Sequence, residues 1–437
     1  MNIGEFELGK RTRTIYKNIL FALPIKGGSA IIALLMVSLL YGYLKPDIYG
    51  IWITIFTVFN WIGLFDLGLA NGLKNYLVKA LTASDTKLAK EYISTAYISI
   101  GTISASVFLI MLIPIHYFEW TEILNAEQTG LDLQPVLIVV CFLFVLRFTL
   151  QVLQTVLIAH QDVYKADLVN FIASFSSFGL MVVVVQFDIN SGSLYTVILI
   201  NMLLPIIVYL IASVFYFKRR FKQISPAFSS FKIDHLKSLL NLGVSFLWIR
   251  VNGIILLQSA YLIINLRLGP TDVASFSIVF SYFNAMQILL NVFLNPYWPA
   301  VTEAINKNDL KWIRQSLKKV RVLFLVFLLA NFTLFLLANT IIPIWLNKSI
   351  SFDNTLLLLM CVYVSLNMWK GIYSFFLNGL SVTKEQSIVS SFTAFSFLVL
   401  AFFLIDIYGL LGIVTASVLV GIPRAIIYPL VLNREIK

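Results

Sequence analysis

Five basic residues, Lys26, Arg147, Arg250, Lys370 and Arg424, stand deep inside runs of apolar sequence, where lipid is the expected solvent. A Lys or Arg at the centre of a bilayer costs about 2.5–3.5 kcal/mol even on lenient insertion scales. Five of them turned toward lipid would cost more than ~12 kcal/mol, as much as a typical domain's whole stability. They must line a wet chamber or be paired. Asp66 is the one deep acid available, and one carboxylate cannot neutralise five cations. The chamber implied is therefore net cationic, and an anion is its natural guest. Asp66 itself is either a proton or coupling-ion site or a local counter-ion to Lys26 or Lys74; the sequence leaves both open.

Neutral polar residues recur in the same runs. Asn284, Gln287, Asn291 and Asn295 follow steps of 3, 4 and 4, which puts them on one helix face. Asn367, Lys370, Ser374 and Asn378 form a second stripe, and Arg147, Gln151 and Gln154 a third. An unpaired amide facing lipid costs several kcal/mol. Such stripes serve either as hydrogen-bonded seams between helices or as a polar lining. Two of the three contain a cation, which favours the lining. Amides both donate and accept, so they suit a hydroxyl-rich ligand. The five cations are thus the candidate contacts for an anionic group. Gln151, Gln154, Asn284, Gln287, Asn291, Asn367 and Asn378 are the candidate contacts for hydroxyls.

The elements that must position these residues follow from composition. Hydrophobic residues make up 59% of the 437, charged residues 12%, and mean hydropathy is +0.89. A soluble domain cannot hide that much apolar surface. A spanning helix needs about 20 mostly apolar residues. Twelve runs qualify, at roughly 19–44, 48–77, 93–117, 134–160, 168–187, 193–217, 237–266, 273–299, 321–346, 355–379, 388–405 and 410–432. The expected fold is an all-α polytopic membrane protein with twelve transmembrane helices. Few residues remain for a soluble catalytic domain. No zinc spacing, phosphate loop, nucleotide fingerprint or nucleophile motif is present, so neither an enzyme nor a cofactor is expected. Cys141 and Cys361 fall inside helices and read as apolar fillers. His116, His160 and His235 sit at helix ends or in a loop and are expected to be solvated. The basic N-terminal segment precedes an apolar run too long for a secretory signal and reads as a retained first helix.

Charge orients the chain. With the N-terminus inside, the inner segments hold 23 Lys and Arg, and the outer loops only Lys45, Arg267 and Lys348. The positive-inside rule puts both termini in the cytoplasm and requires an even helix number. It also accounts for most of the formal +11 charge, so no nucleic-acid partner is needed. The stretch NKNDLKWIRQSLKKVR, 306–321, reads either as an amphipathic helix on the inner surface near anionic headgroups or as a solvated connector.

The chain also matches itself. Lys26 pairs with Arg250, Pro46 with Pro270, Asn60 with Asn284, Asp85 with Asp309 and Lys87 with Lys311, all at a shift of 224. Arg147 pairs with Lys370 at 223, then Asp188 with Asp406 and Pro205 with Pro423 at 218. This ordered series implies two six-helix bundles, 1–217 and 238–437, joined by a basic cytoplasmic linker, 218–237. Six is even, so both halves enter from one side and a pseudo-twofold along the membrane normal relates them.

The stretch YGIWITIFTVFNWIGLFDLGLANGLKNYLVKALTASD, Tyr49 to Asp85, resembles the second-helix signature of polysaccharide repeat-unit flippases, the Wzx-type O-antigen and teichuronic-acid transporters. These belong to the multidrug/oligosaccharidyl-lipid/polysaccharide exporter superfamily. Over about forty residues the match is specific; the twelve-helix layout extends it more weakly over the chain. The resemblance implies a MATE-like bundle that works by alternating access in the bacterial cytoplasmic membrane. It implies an undecaprenyl-pyrophosphate-linked oligosaccharide as substrate, moved from inner to outer leaflet. Membrane lipids and other glycan-assembly membrane proteins are the further partners it implies. Lys26 and Arg250 match positions where relatives, including lipid II flippases, carry basic residues. Two departures stand beside it: lipid II flippases have fourteen helices, and drug-exporting relatives keep acidic coupling residues in the lumen.

On this reading Lys26, Arg147, Arg250, Lys370 and Arg424 clamp the pyrophosphate, while the amide stripes touch sugars. An inside-negative potential contributes about 2.3 kcal/mol per charge per 100 mV to outward movement of an anion, so ATP is not required. Proton or sodium coupling is left open. The rival reading, a multidrug or cation antiporter on the same scaffold, needs several lumen carboxylates. A membrane glycan polymerase needs a basic outer loop, whereas the longest one here, 117–133, holds four acids and no Lys or Arg.

Overall fold

A computed structural model describes the backbone of residues 3–436 except 62, 64–67, 161, 191 and 383; the side chains of 3–22, 71, 241–250, 257 and 306 lie outside that description. Among the described residues the chain is helical throughout, with no strand. In order the helices are α1 (Ile3–Tyr43), α2 (Pro46–Asn60), α3 (Leu69–Thr82), α4 (Thr86–Tyr117), α5 (Trp120–Ile123), α6 (Leu133–Leu150), α7 (Val152–Ala159), α8 (Val163–Gln186) and α9 (Leu194–Ile198). After a π-helical turn at Leu199–Leu203 come α10 (Leu204–Arg219), α11 (Ile233–Leu268), α12 (Pro270–Leu294), α13 (Tyr297–Asn306), α14 (Leu310–Leu346), α15 (Asn354–Gly379), α16 (Lys384–Tyr408) and α17 (Leu410–Glu435).

Among the described residues eleven stretches are long and apolar enough to cross a membrane. The twelfth expected span, the second, is carried by α2 and α3 together, which at 15 and 14 residues are each too short to cross alone. The continuous helix expected over 48–77 is therefore interrupted. Gly68 and Gly72 stand at the G-x-x-x-G spacing that lets helices approach closely, yet Gly68 opens α3 with φ +77, a left-handed conformation that glycine adopts without steric cost. Gly72 does hold a close approach: a Cβ there would stand 2.3 Å from the Leu239 carbonyl oxygen of α11.

The chain divides into two compact units, one of 1–38, 255–268 and 274–437, the other of 39–254 and 269–273. In the second, Leu69, Leu73 and Leu77 of α3 meet Ile93 of α4, Leu153 of α7 and Leu239 of α11. In the first, Met368, Ile372 and Phe376 of α15, Phe397 of α16 and Ile413 of α17 are fully buried. Inside a bilayer this packing gains dispersion rather than transfer energy, because lipid tails are as apolar as Leu.

The sequence repeat has a local structural counterpart. Ser84 and Asn308 are both left-handed, at φ 57 and 55. Asp85 and Asp309 follow them as N-caps, accepting from Leu88 N at 2.9 Å and Trp312 N at 3.1 Å. Their own N–H groups donate to the carbonyls of Ala80 and Ala304, at 3.0 and 2.9 Å. Every one of these pairs lies at the shift of 224. Such caps satisfy donors that a helix N-terminus otherwise leaves open.

Three local expectations need correction. The basic stretch 306–321 forms neither a surface helix nor a connector: α14 starts at Leu310 and runs unbroken for 37 residues into its span. Trp312, Ile313, Leu317 and Val320 bury one face in the protein, while Lys311, Arg314, Lys318 and Lys319 stay exposed. Two histidines are packed rather than solvated. The His235 ring lies against Tyr92 at 4.5 Å, with Nε2 3.0 Å from Glu91 Oε2. His160 lies against Phe221 at 4.3 Å, with Nδ1 2.9 Å from the Val156 carbonyl. Burial there holds the His160 imidazole below its ordinary range; the nearby Arg220 charge adds to this, while the Val156 carbonyl and Asp162 oppose it. His116 is exposed. Finally, α1 reaches back to Ile3, well before residue 19.

Candidate functional site

Each unit carries its own set of polar side chains inside the spans. In the unit built on 39–254, Arg147 sits one turn before α6 ends. The helix breaks at Gln151, whose N–H still donates to the Arg147 carbonyl at 3.0 Å, and restarts as α7. Arg147, Gln151 and Asn60, walled by Phe56, Phe144 and Phe148, line a cavity of about 120 Å³. That is room for several waters or one small polar group. The Arg147 Nε is buried without a hydrogen-bond partner. Gln154, one turn on from Gln151, is already engaged: its Nε2 donates to Asn170 Oδ1 at 2.6 Å and to the Tyr209 hydroxyl, which itself donates to Asn170. Tyr209 is fully buried and lies close enough to Arg147 for its hydroxyl oxygen to feel that charge.

In the other unit, Lys370 and Arg424 stand near the middles of α15 and α17. Arg424 is 5% exposed, and its Nε has no hydrogen-bond partner. The two cations are near enough to repel one another, and the oxygens of Tyr363 and Tyr428 lie around Arg424. Asn367, one turn before Lys370, is half-buried. On α12, Gln287 donates from Nε2 to Asn291 Oδ1 at 2.9 Å, while its Oε1 is buried without a partner. A Cβ at Gly371 would meet Gln287 Nε2 at 3.6 Å, so α12 reaches α15 right beside Lys370. Asn284 is half-buried on the same helix. Asn378 belongs to a seam: its Oδ1 accepts from Gln386 Nε2 at 3.0 Å, and Gln386 also accepts from Ser374 at 2.8 Å and donates to the Val382 carbonyl at 2.8 Å.

Among the described residues no carboxylate stands within ion-pair distance of Arg147, Lys370 or Arg424. Every described Asp and Glu of the membrane-spanning segments lies within two turns of a segment's end, whereas Arg147 in 133–159, Lys370 in 354–379 and Arg424 in 410–435 lie farther in. Lys26 is half-buried on α1 and makes an interaction within the protein. Asp66 and the side chain of Arg250 lie outside the described residues. No group of three His, Cys, Asp or Glu able to hold a metal ion occurs among the described residues.

Asn170, Tyr209, Tyr363, Tyr428 and Gln386 are partners that pattern reasoning missed. Asn170 and Tyr209 stand on helices without a polar stripe, whereas Tyr363 extends the α15 stripe at steps of 4 and 3 to Asn367 and Lys370, Tyr428 lies one turn beyond Arg424, and Gln386 sits in the polar start of α16. For Asn170 and Tyr209 the one available signal was an isolated amide or hydroxyl in a span, which membrane helices seldom keep without a use.

No family model matches the chain. A curated relative from Salmonella typhi described as "Putative O-antigen transporter" is 22% identical over 400 residues, covering 89% of this chain and 88% of the relative. A solved inward-facing multidrug-resistance MATE transporter of the MOP superfamily matches with TM-score 0.76 at 14% identity, covering 96% of this chain and 98% of its own. An outward-facing MATE structure matches with TM-score 0.66 at 15% identity, over 97% and 96% of the two chains. A MOP transporter from Pyrococcus furiosus matches with TM-score 0.64 at 14% identity, over 96% of each chain. The chain thus has the MATE fold, and these relatives are transporters rather than enzymes. The curated relative agrees with the resemblance carried by Tyr49–Asp85.

Proposed function

We propose that the chain is a flippase that moves a polyprenyl-pyrophosphate-linked oligosaccharide from the inner to the outer leaflet by alternating access. The observation that carries this reading is the set of mid-span cations, Arg147, Lys370 and Arg424, with no carboxylate partner among the described residues. An uncompensated guanidinium or ammonium in low dielectric is costly to the fold, and a pyrophosphate offsets that cost when it binds. Lys370 and Arg424 are two cations near enough to feel one another's charge, and they suit a doubly charged headgroup. Lys26 and Arg250 complete the proposed clamp. Arg147 stands beside free amide groups and aromatic walls. Gln151 and Asn60 there, and Asn284, Gln287, Asn291 and Asn367 in the other unit, offer hydrogen bonds to sugar hydroxyls. Gln154 and Asn378 are bound to protein partners, so a sugar role for either requires an exchange of hydrogen bonds.

The O-antigen transporter description of the curated relative supports the same substrate class. Surrounding biology follows from that class: a cytoplasmic-membrane location with inner termini, glycan-assembly proteins as neighbours, and an anion moving outward down the membrane potential. A drug or cation antiporter would require carboxylates at mid-span. The test is genetic. Deleting the gene should leave lipid-linked repeat units on the inner leaflet, and restoring the wild-type chain should return surface glycan. Restoring the Arg424→Ala chain, at equal membrane levels, should not. Full surface glycan with that variant, or a drug-resistance change without a glycan change, overturns the reading.

A further inference from the structure

We propose that the basic end of α14 holds a second anion site, for the phosphate of an anionic phospholipid, independent of the residues assigned to the transported substrate. Arg314, Leu317 and Arg321 share one face of α14 at steps of 3 and 4. With Asn433 and Ile436 at the end of α17 they line an open recess of about 450 Å³. Both guanidinium groups are anchored through Nε, and Arg314 makes a further interaction within the protein. The Arg314 Nε donates to the Ile436 carbonyl at 2.8 Å, and the Arg321 Nε donates to the Tyr373 hydroxyl at 3.0 Å. Arg321 also lies over the Tyr373 ring, 5.5 Å from its centroid. Pinning Nε in this way points a planar fork of N–H donors, already ordered, along the recess wall. The remaining donors of Arg321 have no acceptor among the described residues. A guanidinium fork fits two phosphate oxygens at once. Among the described residues no carboxylate lines the recess.

The same helix argues for a lipid rather than a free anion. Directly beyond Arg321, Val322, Leu325, Val326 and Leu329 are 58%, 55%, 59% and 68% exposed. They recur at steps of 3, 1 and 3 and continue the face that Lys318 and Arg321 begin. A phosphate seated in the recess would leave its acyl chains lying along this stripe. A free phosphate would make no use of it. The exposed lysines 318 and 319 add attraction for an anionic leaflet.

The test uses the full chain purified in detergent, with phosphatidylglycerol, phosphatidylcholine and inorganic phosphate as probes and native mass spectrometry as readout. Wild type should retain phosphatidylglycerol in preference to phosphatidylcholine. Arg314→Gln and Arg321→Gln should each weaken that retention about tenfold, the loss of roughly one charge-assisted contact. Lys45→Gln, on an exposed connection elsewhere, should leave it unchanged. Arg321→Gln also frees Tyr373, so an unchanged thermal unfolding midpoint in both arginine variants guards against an effect of misfolding. Equal retention of the two lipids, or unaltered retention in both arginine variants, overturns the proposal. Displacement of phosphatidylglycerol by millimolar inorganic phosphate makes the recess a small-anion site and overturns it as well.

Discussion

The two halves start from one repeat and treat their spans differently. In the first, the second, fourth and sixth spans are all interrupted, at the left-handed Gly68, at Gln151 and at the π-helical turn Leu199–Leu203. In the second, α15 and α17 run unbroken for 26 residues each, although α17 contains Pro423 and Pro429; only the span of α12 and α13 is divided. Charge differs in the opposite sense. Arg147 and Lys370 are equivalent, but at the shift that pairs Pro205 with Pro423, Arg424 falls on Ile206. Beside the repeat pair Lys26 and Arg250, the first half thus has Arg147 next to the turn at Gln151 and a small cavity, and the second has Lys370 and Arg424 on straight helices. Interrupted helices offer backbone groups and space, which suit hydroxyls, while adjacent cations suit a multiply charged anion. On the proposed function, the comparison points the pyrophosphate mainly to the second-half pair and leaves amides for sugar hydroxyls in both halves, with the small cavity in the first.

The strongest way to break that assignment is to neutralise the second-half pair. Lys370→Met with Arg424→Met should lower export of lipid-linked glycan about 100-fold or more, the loss of two contacts of ~1.5–3 kcal/mol each. Thermal unfolding in detergent should be unchanged or shifted upward, because unpaired cations leave the spans. Parallel losses of export and of stability would make the pair structural. Arg147→Met should lower export less, about tenfold for one contact. A loss as large as that of the double variant would erase the division between halves.

Next in size is Tyr209→Phe, which removes the hydroxyl shared by Gln154 and Asn170. It should cost about 1 kcal/mol, read as a lower unfolding midpoint. Export should fall only modestly, since Gln154 keeps its bond to Asn170. The smallest effect is expected at His160. Its folded-state value lies below the ordinary one, so the unfolded chain binds more protons between the two. Stability from its packing on Phe221 is therefore present above about pH 6.5 and lost as pH falls through the lowered value. Amide exchange around 157–166 should quicken between pH 7 and 5 in wild type and show no such step in His160→Phe.

The spans were legible in the sequence because twenty apolar residues in a row have few alternatives. The repeat was legible because caps such as Asp85 and Asp309 are held by backbone geometry. The interruptions were not. Gln151 ends α6 with no proline or glycine beside it, and the glycines near residue 68 carry two roles, a left-handed turn at Gly68 and a close approach at Gly72, that spacing alone merges. The α14 junction was missed because charged residues on one face look alike whether the apolar face meets lipid or protein. Within the candidate site, the cations were visible as charges in apolar runs. The partners that occupy Gln154 and Asn378 were not, because Asn170, Tyr209 and Gln386 come from other helices and only the fold brings them near.

Proteoliposomes carrying the purified chain and a short polyprenyl-pyrophosphate-linked disaccharide provide the most direct measurement, the rate at which the sugar becomes accessible on the far leaflet. The account predicts transfer by wild type, faster when the potential drives anions to that side, and about 100-fold slower transfer by the Lys370→Met, Arg424→Met protein. Equal rates for the two proteins would contradict it.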